Sequence, residues 1–93
     1  MNASTRTSVP TPQVTLVTSP SCHLCADAEV VLREREVSGQ LDLTVIEMLS
    51  PAGQELVSAH RPSMFPMVLV NGHVLGFGRL SRGQLDRALA GAR

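Results

Sequence analysis

The chain has 93 residues, of which 43% are hydrophobic and 17% are charged, and its formal net charge at pH 7 is zero. A chain of this length forms one small domain, because it has too little surface to bury for two separate cores. Its cationic side chains are all arginines scattered along the sequence, so no basic stripe exists to follow a phosphate backbone. No apolar run approaches the roughly 20 residues of a membrane-spanning helix. We therefore expect neither nucleic acid nor a membrane as a partner.

The first 13 residues are rich in Ser, Thr and Pro and offer little apolar surface. Because such a composition is typical of disorder, we predict a disordered tail at residues 1–13 and a folded domain at residues 14–93. The same segment lacks the apolar centre of a signal peptide. The sequence therefore indicates a cytoplasmic protein.

The first half of the domain predicts a strand, a helix and a second strand. Val14–Thr18 is a short β-branched run that ends at a turn. The apolar period then changes to that of an amphipathic helix over Cys22–Val37, with Ser21 as its N-cap and Ser38-Gly39 as its end. Leu41–Met48 first alternates and then becomes continuously apolar, which favours a strand of a covered sheet.

The second half predicts a helix, a β-hairpin and a last helix. Ser50 precedes a proline at the first helical position, and this helix cannot continue past Pro62. Asn71-Gly72 lies between two apolar runs and favours a type I′ turn, because both residues accept positive φ. Ser81 to Gln84 fits a capping box that starts the last helix. The order β-α-β-α-β-β-α, with a right-handed crossover, predicts an α/β fold whose four-stranded mixed sheet has helices on both faces.

The chain's two cysteines, Cys22 and Cys25, stand three positions apart at the start of the first helix. One interpretation is a structural disulfide, although closing so short a loop stabilises a protein by only roughly 2 kcal/mol. A second is a zinc site, but His23, His60 and His73 do not supply the second compact ligand pair that such sites use. A third is an iron–sulfur cluster shared between two subunits through Cys22.

The fourth interpretation is a redox pair, and it has a direct physical basis. Free backbone N–H groups and the helix dipole favour the thiolate of Cys22, so this thiol ionises more readily than a free cysteine, whose pKa is about 8.5. Cys25 lies one turn further along the helix and is placed to attack a mixed disulfide formed at Cys22. Cys22 is then the nucleophile and Cys25 the resolving thiol. His23, between them, either tunes the pair or is an exposed surface histidine.

The position of the cysteine pair after the first strand, the element order and the segment FPMVLVNGHVLGFG resemble the thioredoxin fold. Within that fold, the chain resembles the compact glutaredoxin-like proteins of bacteria, from Val14 to Leu89. The resemblance implies that the Phe65-Pro66 peptide bond is cis and that the backbone of Phe65 pairs with a bound thiol substrate.

The resemblance also implies which other residues contact the substrate. Met64, Phe65 and Pro66 are expected to line a thiol pocket, and Gly76 and Gly78 to let a ligand backbone approach the last helix. Arg79 either pairs with the carboxylate of a low-molecular-weight thiol or stays solvated.

The resemblance implies a thiol–disulfide oxidoreductase that acts on protein or small-molecule disulfides, and we expect it to be monomeric and without a tightly bound cofactor. Glutathione, another low-molecular-weight thiol or a reductase supplies the electrons. Three departures put glutathione in question: His23-Leu24 replaces a Pro-aromatic pair, no Lys or Arg stands just before Cys22, and GFGRLSR replaces a glycine pair with an acidic residue. Two alternatives stay open, an iron–sulfur carrier bridged through Cys22 and a thioredoxin-fold domain that only binds partners.

Overall fold

The computed structural model describes residues 11–92, which form three helices and four strands in the predicted order. The strands are β1 (Gln13–Thr18), β2 (Asp42–Glu47), β3 (Met67–Val70) and β4 (His73–Phe77), and the helices are α1 (His23–Val37), α2 (Pro51–His60) and α3 (Arg82–Gly91). No helix among residues 11–92 combines the length and the apolar character that crossing a membrane requires.

The four strands form one mixed sheet in the order β2-β1-β3-β4, which confirms the predicted α/β architecture. Strands β1 and β2 are parallel, whereas β1 pairs with β3, and β3 with β4, in antiparallel fashion. The parallel register places Thr18 opposite Glu47. Because parallel strands end at the same edge of a sheet, the chain leaves β1 for the cysteines beside the point where it leaves β2.

Helices cover both faces of this sheet, as predicted, and the two faces have unequal cores. We call the larger core the large cluster; it packs α1 and α3 against the sheet and contains Val14, Leu16, Ala28, Val31, Leu32, Leu41, Val68, Val70, Leu85 and Leu89. We call the other the small cluster; it consists of buried Val17, Met67 and Leu69, with Met48, Leu56, Phe65 and Phe77 packed around them. An ion pair between Arg35 and Asp86 further joins α1 to α3.

The predicted element boundaries need small corrections. Strand β1 begins at Gln13, and Pro12 is buried and accepts a hydrogen bond from the backbone of Asp42, so the structured part extends into the segment predicted as a tail. The rest of that predicted tail, residues 1–10, lies outside the described residues. Strand β2 covers only residues 42–47 of the predicted 41–48, and it forms an edge of the sheet.

The predicted turns and caps account for most helix and strand ends. Asn71 and Gly72 both have positive φ, as a type I′ turn requires. Ser50 and Ser81 cap α2 and α3 through their hydroxyl oxygens. Only the Ser81 half of the predicted capping box at α3 forms. The side-chain amide of Gln84 donates to the carbonyl of Leu75 at 3.2 Å and so ties α3 to β4.

Candidate active site

Cys22 and Cys25 form a disulfide at the N-terminus of α1, with their Cα atoms 5.2 Å apart. The two cysteines differ in exposure. Cys22 is partly exposed at the helix entrance, whereas Cys25 is only 4% exposed and faces the interior. An incoming group therefore reaches Cys22 first.

Cys22 is itself the N-cap of α1, which corrects the prediction that Ser21 has this role. Ser21 has a φ of 53°, in the left-handed region, while Cys22 has the extended backbone that an N-cap residue needs. The chain thus turns sharply at Ser21 and places a sulfur where a hydroxyl was expected. The Sγ of Cys22 accepts a hydrogen bond from the backbone N–H of Cys25 at 3.1 Å. In the reduced state this donor and the positive end of the helix favour the thiolate.

The peptide bond between Phe65 and Pro66 is cis, as the resemblance implies. Pro66 is buried, and its carbonyl accepts a hydrogen bond from the backbone N–H of Gly78 at 2.8 Å. Phe65 packs against the small cluster, and Met64 is 49% exposed. This arrangement ties the segment before β3 to the end of β4.

The two glycines named from the resemblance differ in their surroundings. Gly78 is buried with a φ of 85°, and a Cβ atom there would lie 2.8 Å from the sulfur of Met64, so only glycine lets this methionine lie where it does. A Cβ atom on Gly76 would meet open space. Gly76, Gly78 and Arg79 share a hollow of about 10 Å³, which is about the space that one water molecule needs. Arg79 and His23 are both exposed.

A feature that the sequence interpretation missed is a cavity of about 100 Å³ where β1 and β2 end. Its lining residues are Thr18, Ser19, Pro20, Glu47, Met48 and Leu49. Pro20 is two residues before Cys22, so the cavity adjoins the disulfide along the chain. The signal for it was available, because ligands of α/β sheets bind beyond the carboxyl ends of parallel strands.

Within residues 11–92, no three His, Cys, Asp or Glu side chains gather in a way that would hold a metal ion. The three histidines that were considered as zinc ligands lie on separate elements: His23 begins α1, His60 ends α2 and His73 begins β4. The described residues therefore offer no zinc site built around the cysteine pair.

Comparison with solved structures shows the fold. An uncharacterised thioredoxin-like protein from Clostridium perfringens matches with a TM-score of 0.69 and 11% identity, over 99% of this chain and 79% of that one. Glutaredoxin 1 from Francisella tularensis, complexed with cacodylate, matches with a TM-score of 0.53 and 13% identity, over 86% of this chain and 94% of that one. Thioredoxin f2 from Chlamydomonas reinhardtii matches with a TM-score of 0.56 and 13% identity, over 86% of this chain and 74% of that one.

These matches and the site define a class of protein: a thioredoxin-like α/β fold that carries a C-x-x-C disulfide at the start of its first helix. The predicted resemblance to glutaredoxin-like, thioredoxin-fold proteins is confirmed at the level of the fold. No family model matches the chain, and no curated protein matches it.

Proposed function

We propose that the protein is a thiol–disulfide oxidoreductase in which Cys22 is the nucleophile and Cys25 the resolving thiol. The observation that carries this proposal is the hydrogen bond from the Cys25 N–H to the Cys22 sulfur, at the positive end of α1. The same geometry leaves Cys22 partly exposed and buries Cys25. A pair of this kind has one thiol that substrates reach and one that is kept for the second step.

The reaction transfers two electrons from the reduced cysteine pair to a substrate disulfide. The Cys22 thiolate attacks one substrate sulfur, a Cys22–substrate disulfide forms, and the other substrate sulfur leaves as a thiolate that takes up a proton. The Cys25 thiolate then attacks the Cys22 sulfur. The second substrate thiol leaves, and the Cys22–Cys25 disulfide present in this structure is formed.

The segment of Met64, Phe65 and Pro66 contributes the other half of the substrate site in this proposal. Backbone groups of Phe65 align the substrate sulfur, and the exposed part of Met64 covers it. Glutathione, another low-molecular-weight thiol or a reductase returns the protein to its reduced state, and exposed Arg79 is available to a carboxylate of such a thiol. These partners rest on the resemblance of the fold.

A single-turnover experiment tests the proposal without a choice of electron donor. Reduced protein is mixed with a short disulfide-bridged peptide, and the released thiols are measured. Wild-type protein is expected to release two peptide thiols per chain. Cys22→Ser is expected to release none, and Cys25→Ser to stop at the mixed disulfide with one thiol released. Release of two thiols by Cys22→Ser would overturn the assignment.

The pH dependence of alkylation gives a second readout. In reduced Cys25→Ser protein, where only Cys22 reacts, the midpoint is expected well below the pH of about 8.5 that is typical of a free cysteine. Circular dichroism of each variant checks its fold. A midpoint at 8.5 together with visible colour in protein purified without oxygen would instead support the iron–sulfur carrier.

A further inference from the structure

Hydrogen bonds hold the backbone that lines the cavity at the ends of β1 and β2. The backbone N–H of Met48 donates to the carbonyl of Thr18 at 2.8 Å, which joins its two sides. The carbonyl of Glu47 accepts from the backbone N–H of Ser50 at 3.1 Å and from the Ser50 hydroxyl at 2.7 Å. A side-chain atom on buried Gly53 would overlap the Glu47 carbonyl, so α2 begins in close contact with this wall.

The lining combines apolar surface with one charge. Pro20, Met48 and Leu49 supply apolar atoms, and Leu49 is 65% exposed although it is a large hydrophobic residue. Glu47 is the one ionisable residue among the described residues that line the cavity. It is exposed, and none of the described residues donates a hydrogen bond to its carboxylate. The cap of α2 is supplied by Ser50 instead, so this carboxylate has no capping role.

The size of the cavity limits what it can hold. A volume of about 100 Å³ is about ten times that of the hollow beside Arg79, which is near the roughly 10–15 Å³ that one water molecule needs. That is enough for one extended side chain and too little for a folded element. Lysine and arginine combine an aliphatic stem, which packs on apolar surface, with a cationic head that stays near water. An acidic side chain would be repelled by Glu47.

We propose that this cavity is a substrate subsite that selects a lysine or arginine next to the half-cystine of a peptide or protein disulfide. The stem of that residue packs against Pro20 and Leu49, and its cationic head pairs with Glu47. Pro20 stands two residues before Cys22, so at most about 7 Å of extended backbone separates this wall of the subsite from the residue whose sulfur reacts. This inference rests on the proposed oxidoreductase function and names its substrate class.

The test uses three disulfide-bridged peptides that differ only in the residue after one half-cystine: lysine, norleucine or glutamate. Norleucine keeps the stem of lysine and lacks its charge. Second-order rates of reduction by reduced wild-type protein are expected to follow the order lysine, norleucine, glutamate, with about 2- to 5-fold between the first two, as an exposed ion pair allows. The difference is expected to shrink in 1 M salt, where charges are screened.

Two variants separate the local charge from the overall charge of the protein. Glu47→Lys is expected to reverse the order of the lysine and glutamate peptides, and Glu47→Gln to abolish the difference between lysine and norleucine. Glu34→Lys is the matched control, because it makes the same charge change at an exposed position of α1 eleven residues after His23, about 16 Å along the helix. It is expected to keep the wild-type order.

The outcomes distinguish a failure of the subsite from a failure of the proposed function. Equal rates for all three peptides with the wild-type protein, or an unchanged order in Glu47→Lys, would overturn the subsite and leave the oxidoreductase function standing. A similar loss of preference in Glu34→Lys would also overturn it, since overall charge would then explain the effect. Failure of the wild-type protein to reduce any of the peptides would overturn the proposed function, and the subsite with it.

Discussion

The two faces of the sheet are built differently, and parts of the candidate site lie over the face with the smaller core. The large cluster has ten buried residues, contributed by α1, α3 and the sheet side that they cover, whereas the small cluster has three on the side of α2. Yet two elements of the candidate site, Phe65 and the Met48 wall of the cavity, pack on the small cluster. These two segments, which the proposed function assigns to the substrate, thus lie over the thinner core, where partly exposed side chains are common.

The site also has costs that the larger core offsets. Ser21 has a left-handed backbone, which costs a residue with a side chain about 1–2 kcal/mol. Leu49 and Met64 leave apolar surface in water. Burying one large aliphatic side chain contributes about 1.5–3 kcal/mol, so the ten buried residues of the large cluster compensate for these features.

The largest expected effect comes from a matched pair of core truncations, Leu32→Ala in the large cluster and Met67→Ala in the small one. Both side chains are fully buried, so each variant is expected to lose about 2–5 kcal/mol in the free energy of unfolding. Only Met67 directly follows Pro66 and packs in the cluster that supports Phe65. Met67→Ala is therefore expected also to slow peptide-disulfide reduction, while Leu32→Ala leaves that rate unchanged.

Urea denaturation measures the first effect, and single-turnover rates well below each midpoint measure the second. A Leu32→Ala protein that is folded and yet slow would show that the two faces are not functionally distinct. Equal reduction rates for both variants would show that the small cluster does not support the site.

A second pair compares the helix caps on the two faces. Ser81→Ala removes the cap of α3 and is expected to cost about 1 kcal/mol. Ser50→Ala removes the cap of α2 and also the hydrogen bond from its hydroxyl to the carbonyl of Glu47, so we expect a loss of about 2 kcal/mol. Because that second bond holds the wall of the cavity, only Ser50→Ala is expected to weaken the preference for the lysine peptide.

Unfolding curves and the peptide series check both statements. A loss of preference in Ser81→Ala would indicate a general effect of helix fraying. An unchanged preference in Ser50→Ala would show that the position of Glu47 does not depend on this cap.

The sequence was sufficient for the fold because its local signals agree with one another. The change of apolar period after Thr18, the proline after Ser50 and the Asn71-Gly72 dipeptide each mark an element boundary that the structure has. The geometry at Cys22 was harder to predict, because Ser21 is a preferred N-cap residue and cysteine is not, yet Cys22 is the cap. The left-handed backbone of Ser21 moves the cap to the next residue, and residue type alone does not reveal that turn.

The cavity was missed for a different reason. Glu47 and Pro20 are 27 positions apart, and only the parallel register that pairs Thr18 with Glu47 brings their neighbourhoods together. Besides the general rule for the ends of parallel strands, a glycine inside a helix marked the close contact behind one cavity wall. Gly53 has no turn to make within α2, and it is glycine because the Glu47 carbonyl lies against it.

The smallest expected effect concerns Glu36, which joins α1 to the edge strand β2 on the side of the large cluster. The backbone N–H of Leu43 donates to its carboxylate at 3.0 Å, and Arg33 donates to it at 3.1 Å. The Leu43 hydrogen bond first, and Arg33 second, hold the pKa of Glu36 below its usual value. A carboxyl with a lowered pKa stabilises the folded state above the pKa of the unfolded chain, about 4.3, and this contribution is lost as the pH falls through the folded pKa.

Glu36→Gln is therefore expected to lower the free energy of unfolding slightly at pH 7 and to match the wild type at the acidic end, with no change in peptide reduction. Glu34→Gln is the control, because this neighbouring carboxylate is exposed and makes no ion pair with the described residues. Urea unfolding between pH 3 and pH 7 measures the difference between each variant and the wild type. A difference for Glu36→Gln that stays constant across this range would contradict this, because a contribution that depends on the ionised carboxylate must disappear as the carboxyl group is protonated.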